Sequence, residues 1–169
     1  HENAQLRAVH ASPDAPRVDI LANNSKIAEA SYAEATTFRS LEAGNTSIRL
    51  DVNGAQPSVT ALTAAVNLER NKLYTVFAVN RVAALEALTV VDESNAPVSG
   101  SAKLRVVHAA PGAPEVDVYV TGPTQDLSDA SVTPTLTFAF KTIVPANGTR
   151  ALEVPAGDYR IRVTPKGDK

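Results

Sequence analysis

His10-Ala11-Ser12-Pro13-Asp14-Ala15-Pro16 occurs a second time, 98 positions later, as His108-Ala109-Ala110-Pro111-Gly112-Ala113-Pro114. Leu6-Arg7 and Leu104-Arg105 precede the two copies; Val18-Asp19-Ile20 and Val116-Asp117-Val118 follow them. Pro13 and Pro16 exclude both a helix and a central strand, so residues 11–16 must be a loop. On its two sides, residues 6–10 and 17–22 alternate apolar and polar, the period of strands. The duplicated unit is therefore strand, proline-bent loop, strand.

Outward from this unit the chain continues as short strands and turns. Asn23-Asn24-Ser25 is a turn in which asparagine suits left-handed backbone. Residues 26–38 are ambiguous. Ile27, Ala30, Ser31 and Glu34 fall at helical spacing, but Thr36-Thr37-Phe38 and the neighbouring strands favour an extended reading, which is preferred. Ala43-Gly44-Asn45 forms a tight turn into residues 46–52, the clearest alternation in the chain. Asn53-Gly54 signals a hairpin, 58–66 a strand, and Glu69-Arg70-Asn71-Lys72 a polar turn. Residues 73–79 are nearly continuously apolar, as in a buried central strand, and 84–91 complete the set. Polar residues 92–102, with Pro97 and Gly100, read as a linker.

In the second copy the register slips. Ala156-Gly157-Asp158-Tyr159-Arg160-Ile161-Arg162-Val163 answers Ala43-Gly44-Asn45-Thr46-Ser47-Ile48-Arg49-Leu50 at a separation of 113, which implies a 15-residue insertion within about 122–150. Nothing after it answers residues 58–91. Either the natural chain continues past Lys169 or another chain supplies the missing strand. The expected organisation is all-β: two tandem sandwich domains, 1–92 and 103–169, joined by 93–102, with the second incomplete at its C-terminus.

Composition narrows the class. The net charge of -2 argues against a nucleic-acid binder. There is no apolar run long enough to span a bilayer. Cysteine is absent, so neither disulfides nor a thiolate zinc site is used. Methionine is absent too, so His1 is not a translational start, and loss of a signal peptide is the simplest natural cause.

The paired Leu-Arg-x-Val-His-Ala-x-Pro-x-Ala-Pro-x-Val-Asp segments resemble a bacterial family of unknown function whose repeats carry Arg-Val-Val-His-Ala-Ser-Pro-Asp-Ala-Pro and then Val-Asp-Val-Tyr-Val. The first copy has Leu21 where that family tends to have Tyr; the second keeps Val116-Asp117-Val118-Tyr119-Val120 but departs at Ala110 and Gly112. Pro155-Ala156-Gly157-Asp158-Tyr159 and Leu73-Tyr74-Thr75-Val76 resemble two further signatures. The resemblance implies an exported, often tandemly repeated, immunoglobulin-like β-sandwich, secreted, periplasmic or on a bacterial cell surface, and sometimes adhesion-like. It supplies no activity and no catalytic residues.

His10 and His108 each sit where a strand meets the loop. With Asp14, Asp19 or Asp117 a histidine can bind metal or act as a general base. The preferred reading is structural, with the imidazole bonding loop carbonyls and with His10, Pro13, Pro16, His108, Pro111 and Pro114 forming a corner. Ser12 and Asp14, the side chains that chemistry would need, become Ala110 and Gly112. No nucleophile elbow, phosphate loop or dinucleotide fingerprint is present, and no enzyme is expected.

No cofactor is expected either. Calcium is an option at Asp92-Glu93 with Asn95, against the preferred reading of a solvated hinge. Arg49, Arg160 and Arg162 make a basic strand face. Asn23, Asn45 and Asn147 open glycosylation sequons that matter only in a eukaryotic secretory host. The expected role is a noncatalytic binding or structural module for a protein or glycan at a cell surface. Its ligand would meet loops at one end of each sandwich, with Ser12, Asp14, Gly112, Asp126 and Asp129 as candidate contacts. The alternatives are a carbohydrate-binding accessory domain of a secreted enzyme and a subunit assembled by strand donation.

Overall fold

The computed structural model describes residues 3–169, so the reading of His1 as a processed terminus lies outside the described residues. Among the described residues every regular element is a strand, apart from one 3-10 turn at Val82–Ala84. Among the described residues no helix is long and apolar enough to cross a membrane. The chain divides into two compact units, His1–Asn95 and Ala96–Lys169.

The first unit contains β1 (Asn3–His10), β2 (Val18–Ala22), β3 (Ser25–Ala30), β4 (Arg39–Glu42), β5 (Gly44–Val52), β6 (Thr60–Leu68), β7 (Lys72–Val79) and β8 (Glu86–Glu93). They form two four-stranded sheets, ordered β4-β1-β7-β8 and β3-β2-β5-β6. All neighbours are antiparallel except β1 and β7. Successive side chains of a strand point to opposite faces, so Ala4, Leu6 and Ala8 of β1 face one way. They meet Val18, Ile20, Ile48 and Leu50 from the other sheet in one buried cluster. Tyr74, Val76 and Ala78 of β7 complete it, and β7 is the central buried strand that its composition predicts.

The connectivity departs from the immunoglobulin arrangement. There the first two strands share a sheet; here β1 and β2 lie in different sheets, because the proline loop carries the chain across. The ambiguous segment also resolves. Residues 25–30 are strand, while 31–38 are irregular, anchored by a bridge from Ala35 to Val9 and turned by Ala33 at a φ of 68°.

The second unit contains β9 (Ser101–Leu104), β10 (Val106–Val107), β11 (Val116–Thr121), β12 (Leu136–Phe138), β13 (Ile143–Val144), β14 (Leu152–Pro155) and β15 (Arg160–Pro165). Its pairings are β14-β9, β10-β13 and β12-β11-β15. These reproduce registers of the first unit. Leu104 pairs with Leu152 as Leu6 does with Arg39, and Val118 with Val163 as Ile20 does with Leu50. Likewise Val118 pairs with Leu136 as Ile20 does with Ala28. The 15 inserted residues therefore fall in two places: ten between β11 and β12, and five between β13 and β14. Among the described residues of this unit no strand answers β6, β7 or β8.

The repeated arginine is used differently in the two units. Arg7 donates through Nε to Thr75 of β7 and lies 4.6 Å from the centre of the Phe38 ring. Arg105 instead binds the carbonyl oxygens of Pro145, Ala146 and Thr149, holding the five-residue insertion as a compact turn.

Candidate functional site

His10 is the last inward-facing residue of β1, and its side chain is buried. Nε2 lies 2.9 Å from the Pro16 carbonyl oxygen, and the Ser12 N–H points at Nδ1 from 3.4 Å. A carbonyl only accepts and an amide N–H only donates, so both bonds require the neutral Nε2–H tautomer. His108 repeats this, with Nε2 3.1 Å from the Pro114 oxygen and Nδ1 3.3 Å from the Ala110 nitrogen. The main chain is held as well: the His10 N–H donates to Glu34 and its carbonyl accepts from Ala33, as His108 does with Thr142 and Lys141. Pro13 and Pro16 have no N–H to give, so the ring supplies the donor that folds the loop back on itself. Both nitrogens of each ring are thereby engaged, leaving no lone pair for a metal or a substrate proton.

The residues singled out around these loops fare differently. Ser12 is fully buried, so it is not a side chain that a ligand meets, a correction that follows from the loop closing over it. Asp14 is exposed, but its carboxylate accepts the Val82 N–H at 2.7 Å and ties the loop to the 3-10 turn. Gly112 is exposed, follows Pro111 and has a φ of +77°, and the Ala113 N–H returns to the Ala110 oxygen. That is a type II turn, which requires a positive φ after the proline. Glycine stands there for conformation, not contact.

Asp126 and Asp129 cap their own turns. Asp126 accepts from the N–H and hydroxyl of Ser128, and Asp129 from those of Ser131. These bonds hold both carboxyls below the usual carboxylate range. Asp19 is likewise held low by Lys26 and Asn53. Asp117 is buried; the Gly167 N–H and the Thr137 hydroxyl stabilise its charged form and lower its pKa. Neither aspartate is bonded to the histidine of its copy. Arg49 is engaged with Asp51 and Asn24, and Arg162 with Thr121 and the Gln125 oxygen. Among the described residues no three His, Asp or Glu side chains gather to hold a metal ion; Glu93 is paired with Lys72 across β7 and β8.

The loops do not share one end, contrary to expectation. In the second unit the histidine loop enters β11, whereas the ten-residue insertion leaves from its far end at Thr121. The insertion then lies back over the outer face of the sheet. Arg162 and Lys169 reach the Gln125 and Asp129 oxygens, and Tyr119, on the face opposite Val118, is buried. The counterpart positions of β2 are only half-buried.

In the first unit, strand directions bring residues 11–17, 31–38, 53–59 and 80–85 to the His10 end, while the tight turns at 23–24, 43 and 69–71 occupy the other. The four long connections are fastened together. Val82 donates to Asp14, Asn53 to the Arg17 oxygen and Val52 to the Val59 oxygen, and Tyr32 packs edge-on against His10. Tyr32, Val59 and Val82 are exposed in these connections, as are Pro13 and Pro16. Sequence reasoning misses these three because each is a lone apolar residue in a separate connection.

No curated protein matches the chain. A family match begins in β1 and runs to Tyr119 in β11, so it includes both histidine loops. Residues 4–119 match the family described as Domain of unknown function (DUF4397), and the chain belongs to that family.

Proposed function

We propose that the chain is a tandem of two related two-sheet β-sandwich modules from an exported bacterial surface or periplasmic protein. It serves as a noncatalytic binding module that engages a protein ligand through the His10 end of its first module. The observation that carries this reading is the set of four fastened long connections exposing Tyr32, Val59 and Val82. Exposed apolar residues at one end of a module suit a protein interface. A tandem is supported by the recurring registers and by the identical histidine clips. A noncatalytic role is supported by the engagement of both rings with loop backbone.

The test is binding of the 169-residue chain to a panel of purified extracellular-matrix proteins and, in parallel, to a glycan array. Saturable binding to a protein, weakened about tenfold or more by Tyr32→Ser or Val82→Asp (about 1.4 kcal/mol for each factor of ten), is the expected result. Binding to glycans alone would replace it with the carbohydrate-binding accessory reading. No saturable binding in either arm would refute both.

A further inference from the structure

Each sheet of the first unit ends in two edge strands, β4 and β8 in one, β3 and β6 in the other. An edge offers unpaired N–H and C=O groups to any passing strand, and folds blunt it with charge, shortness or a bulge. β4 has only four residues and carries Arg39 and Glu42. β3 carries Lys26 and Glu29 and is bulged against β2, and β8 has Glu86 at one end and Asp92 and Glu93 at the other. β6 has none of these charges. Its nine residues, Thr60-Ala61-Leu62-Thr63-Ala64-Ala65-Val66-Asn67-Leu68, include no proline, and its one irregularity leaves Ala61 unpaired near the start. Residues 62–68 form a regular, uncharged edge.

The direction of its free groups follows from β5. Val52 donates to the Val59 oxygen, on the β6 side, whereas Asn53 donates to Arg17 and Ser47 accepts from Asn23, on the β2 side. Alternate residues bond to opposite sides, so Ile48 and Leu50 bond to their β6 partners Ala64 and Leu62. The N–H and C=O groups of Thr63, Ala65 and Asn67 therefore point to the open edge, and all three residues are exposed.

We propose that β6 is a self-association edge, pairing antiparallel with β6 of a second copy across a two-fold axis at Ala65. In this register Ala65 faces Ala65 and Thr63 faces Asn67, each pair exchanging both of its N–H···O bonds. On the core side Leu62 meets Leu68 and Ala64 meets Val66, apolar against apolar. Moving the axis by half a residue would set core-side positions against outer ones. Moving it to Ala64 or Val66 sets Asn67 against the unpaired Ala61, or Thr63 against Glu69. β6 has no charge by which to select a foreign strand, whereas a second copy matches it by symmetry. The interface is small, so the complex is a weak one. It shares no residue with the connections that expose Tyr32, Val59 and Val82, and it goes beyond ligand binding at the His10 end.

Sedimentation and amide hydrogen exchange of the full chain, at concentrations rising to millimolar, test this. A reversible dimer is expected, with protection gained at the N–H groups of Thr63, Ala65 and Asn67. Ala65→Lys and Ala65→Glu each set like charges face to face at the axis and should weaken the dimer about tenfold or more. Ala65 is exposed, so both variants keep the fold, which urea unfolding verifies. An equal mixture of the two should restore the dimer, because the axis then sets Lys against Glu. The chain has no cysteine, so Ala65→Cys should give a covalent dimer on mild oxidation, while Ser25→Cys on the β3 edge should not. A monomer at millimolar concentration would overturn the proposal, as would a dimer that the Lys and Glu variants leave intact or that their mixture fails to restore. Growth beyond the dimer would overturn it by making β6 an open aggregating edge. Protection of β6 that appears only with an added protein would overturn it in favour of a foreign strand.

Discussion

Replacing His10 by alanine tests whether the histidine is a clip or a reactive group. The substitution removes the Nε2–H bond to the Pro16 carbonyl and the acceptor for the Ser12 N–H, and Ser12 is fully buried. A buried polar group left without its partner costs about 1–3 kcal/mol. The Ser12 bond is long, so its share is near the bottom of that range. Loss of the ring also enlarges a cavity that is about 10 Å³ and removes the edge contact with Tyr32, adding about 1 kcal/mol. The sum is about 3 kcal/mol.

With a urea m-value of about 1 kcal/mol/M for a unit of this size, the midpoint of the first unit should fall by about 2–3 M. The assay is urea unfolding followed by far-UV circular dichroism, with hydrogen exchange assigning each transition to its unit. His10→Gln should recover about half the loss, since an amide reaches the Pro16 oxygen. His108→Ala should cost the second unit less, because His108, Val106, Val118 and Phe138 line an open groove of about 270 Å³ through which solvent can reach the freed groups. A shift below about 0.5 kcal/mol for His10→Ala, the range of surface substitutions, would refute the clip.

Leu50→Ala should destabilise the first unit by about 2–4 kcal/mol, while Val163→Ala at the same register position should stay within about 0.5 kcal/mol, read by the same denaturation. Gly112→Ala meets nothing within 4 Å at a φ of +77°, so its cost is conformational alone, about 1 kcal/mol, measurable as a lower melting temperature. The Asp117 pKa is lowered on folding, chiefly by the Gly167 N–H. The stability it contributes is therefore present above the unfolded value of about 3.9 and is lost as pH falls through the lower, folded value. Unfolding midpoints of the second unit should decline in acid, and Asp117→Asn should flatten that decline.

The strands beside the histidine loops are legible in the sequence because alternation and proline act locally. Residues 46–52 and 73–79 are legible for the same reason. Residues 31–38 are not, because their irregular path depends on Ala35 reaching Val9 and Thr36 reaching Ala8, contacts remote in sequence. The insertion has a readable total length but not a readable division. Leu136-Thr137-Phe138 shares no residue with its counterpart Ala28-Glu29-Ala30, so no landmark survives between Val120 and Ala156. Asp117 and Ser12 look accessible by alternation and by loop position; each is buried by a chain segment folding back over it.

The contrast between the two units lies in side-chain packing and not in backbone pairing. Both keep the clip and the registers, which are backbone constraints and cost the same ordering entropy per residue wherever they occur. What offsets that entropy is buried apolar surface, and the second unit has far less of it. Its cluster has Val116, Val118 and Phe138 buried, where the first has these positions and also Ala4, Leu6 and Ala8 of β1, Ile48 and Leu50 of β5, and Tyr74, Val76 and Ala78 of β7. Phe138 in place of Ala30 fills part of the gap from the β12 side, but Ile161 and Val163 remain in water. The first unit should therefore be the more stable of the two. In urea the second unit should unfold at a lower midpoint than the first, with hydrogen exchange assigning each transition to its unit. Coincident midpoints would refute the link from buried apolar surface to the stability of each unit.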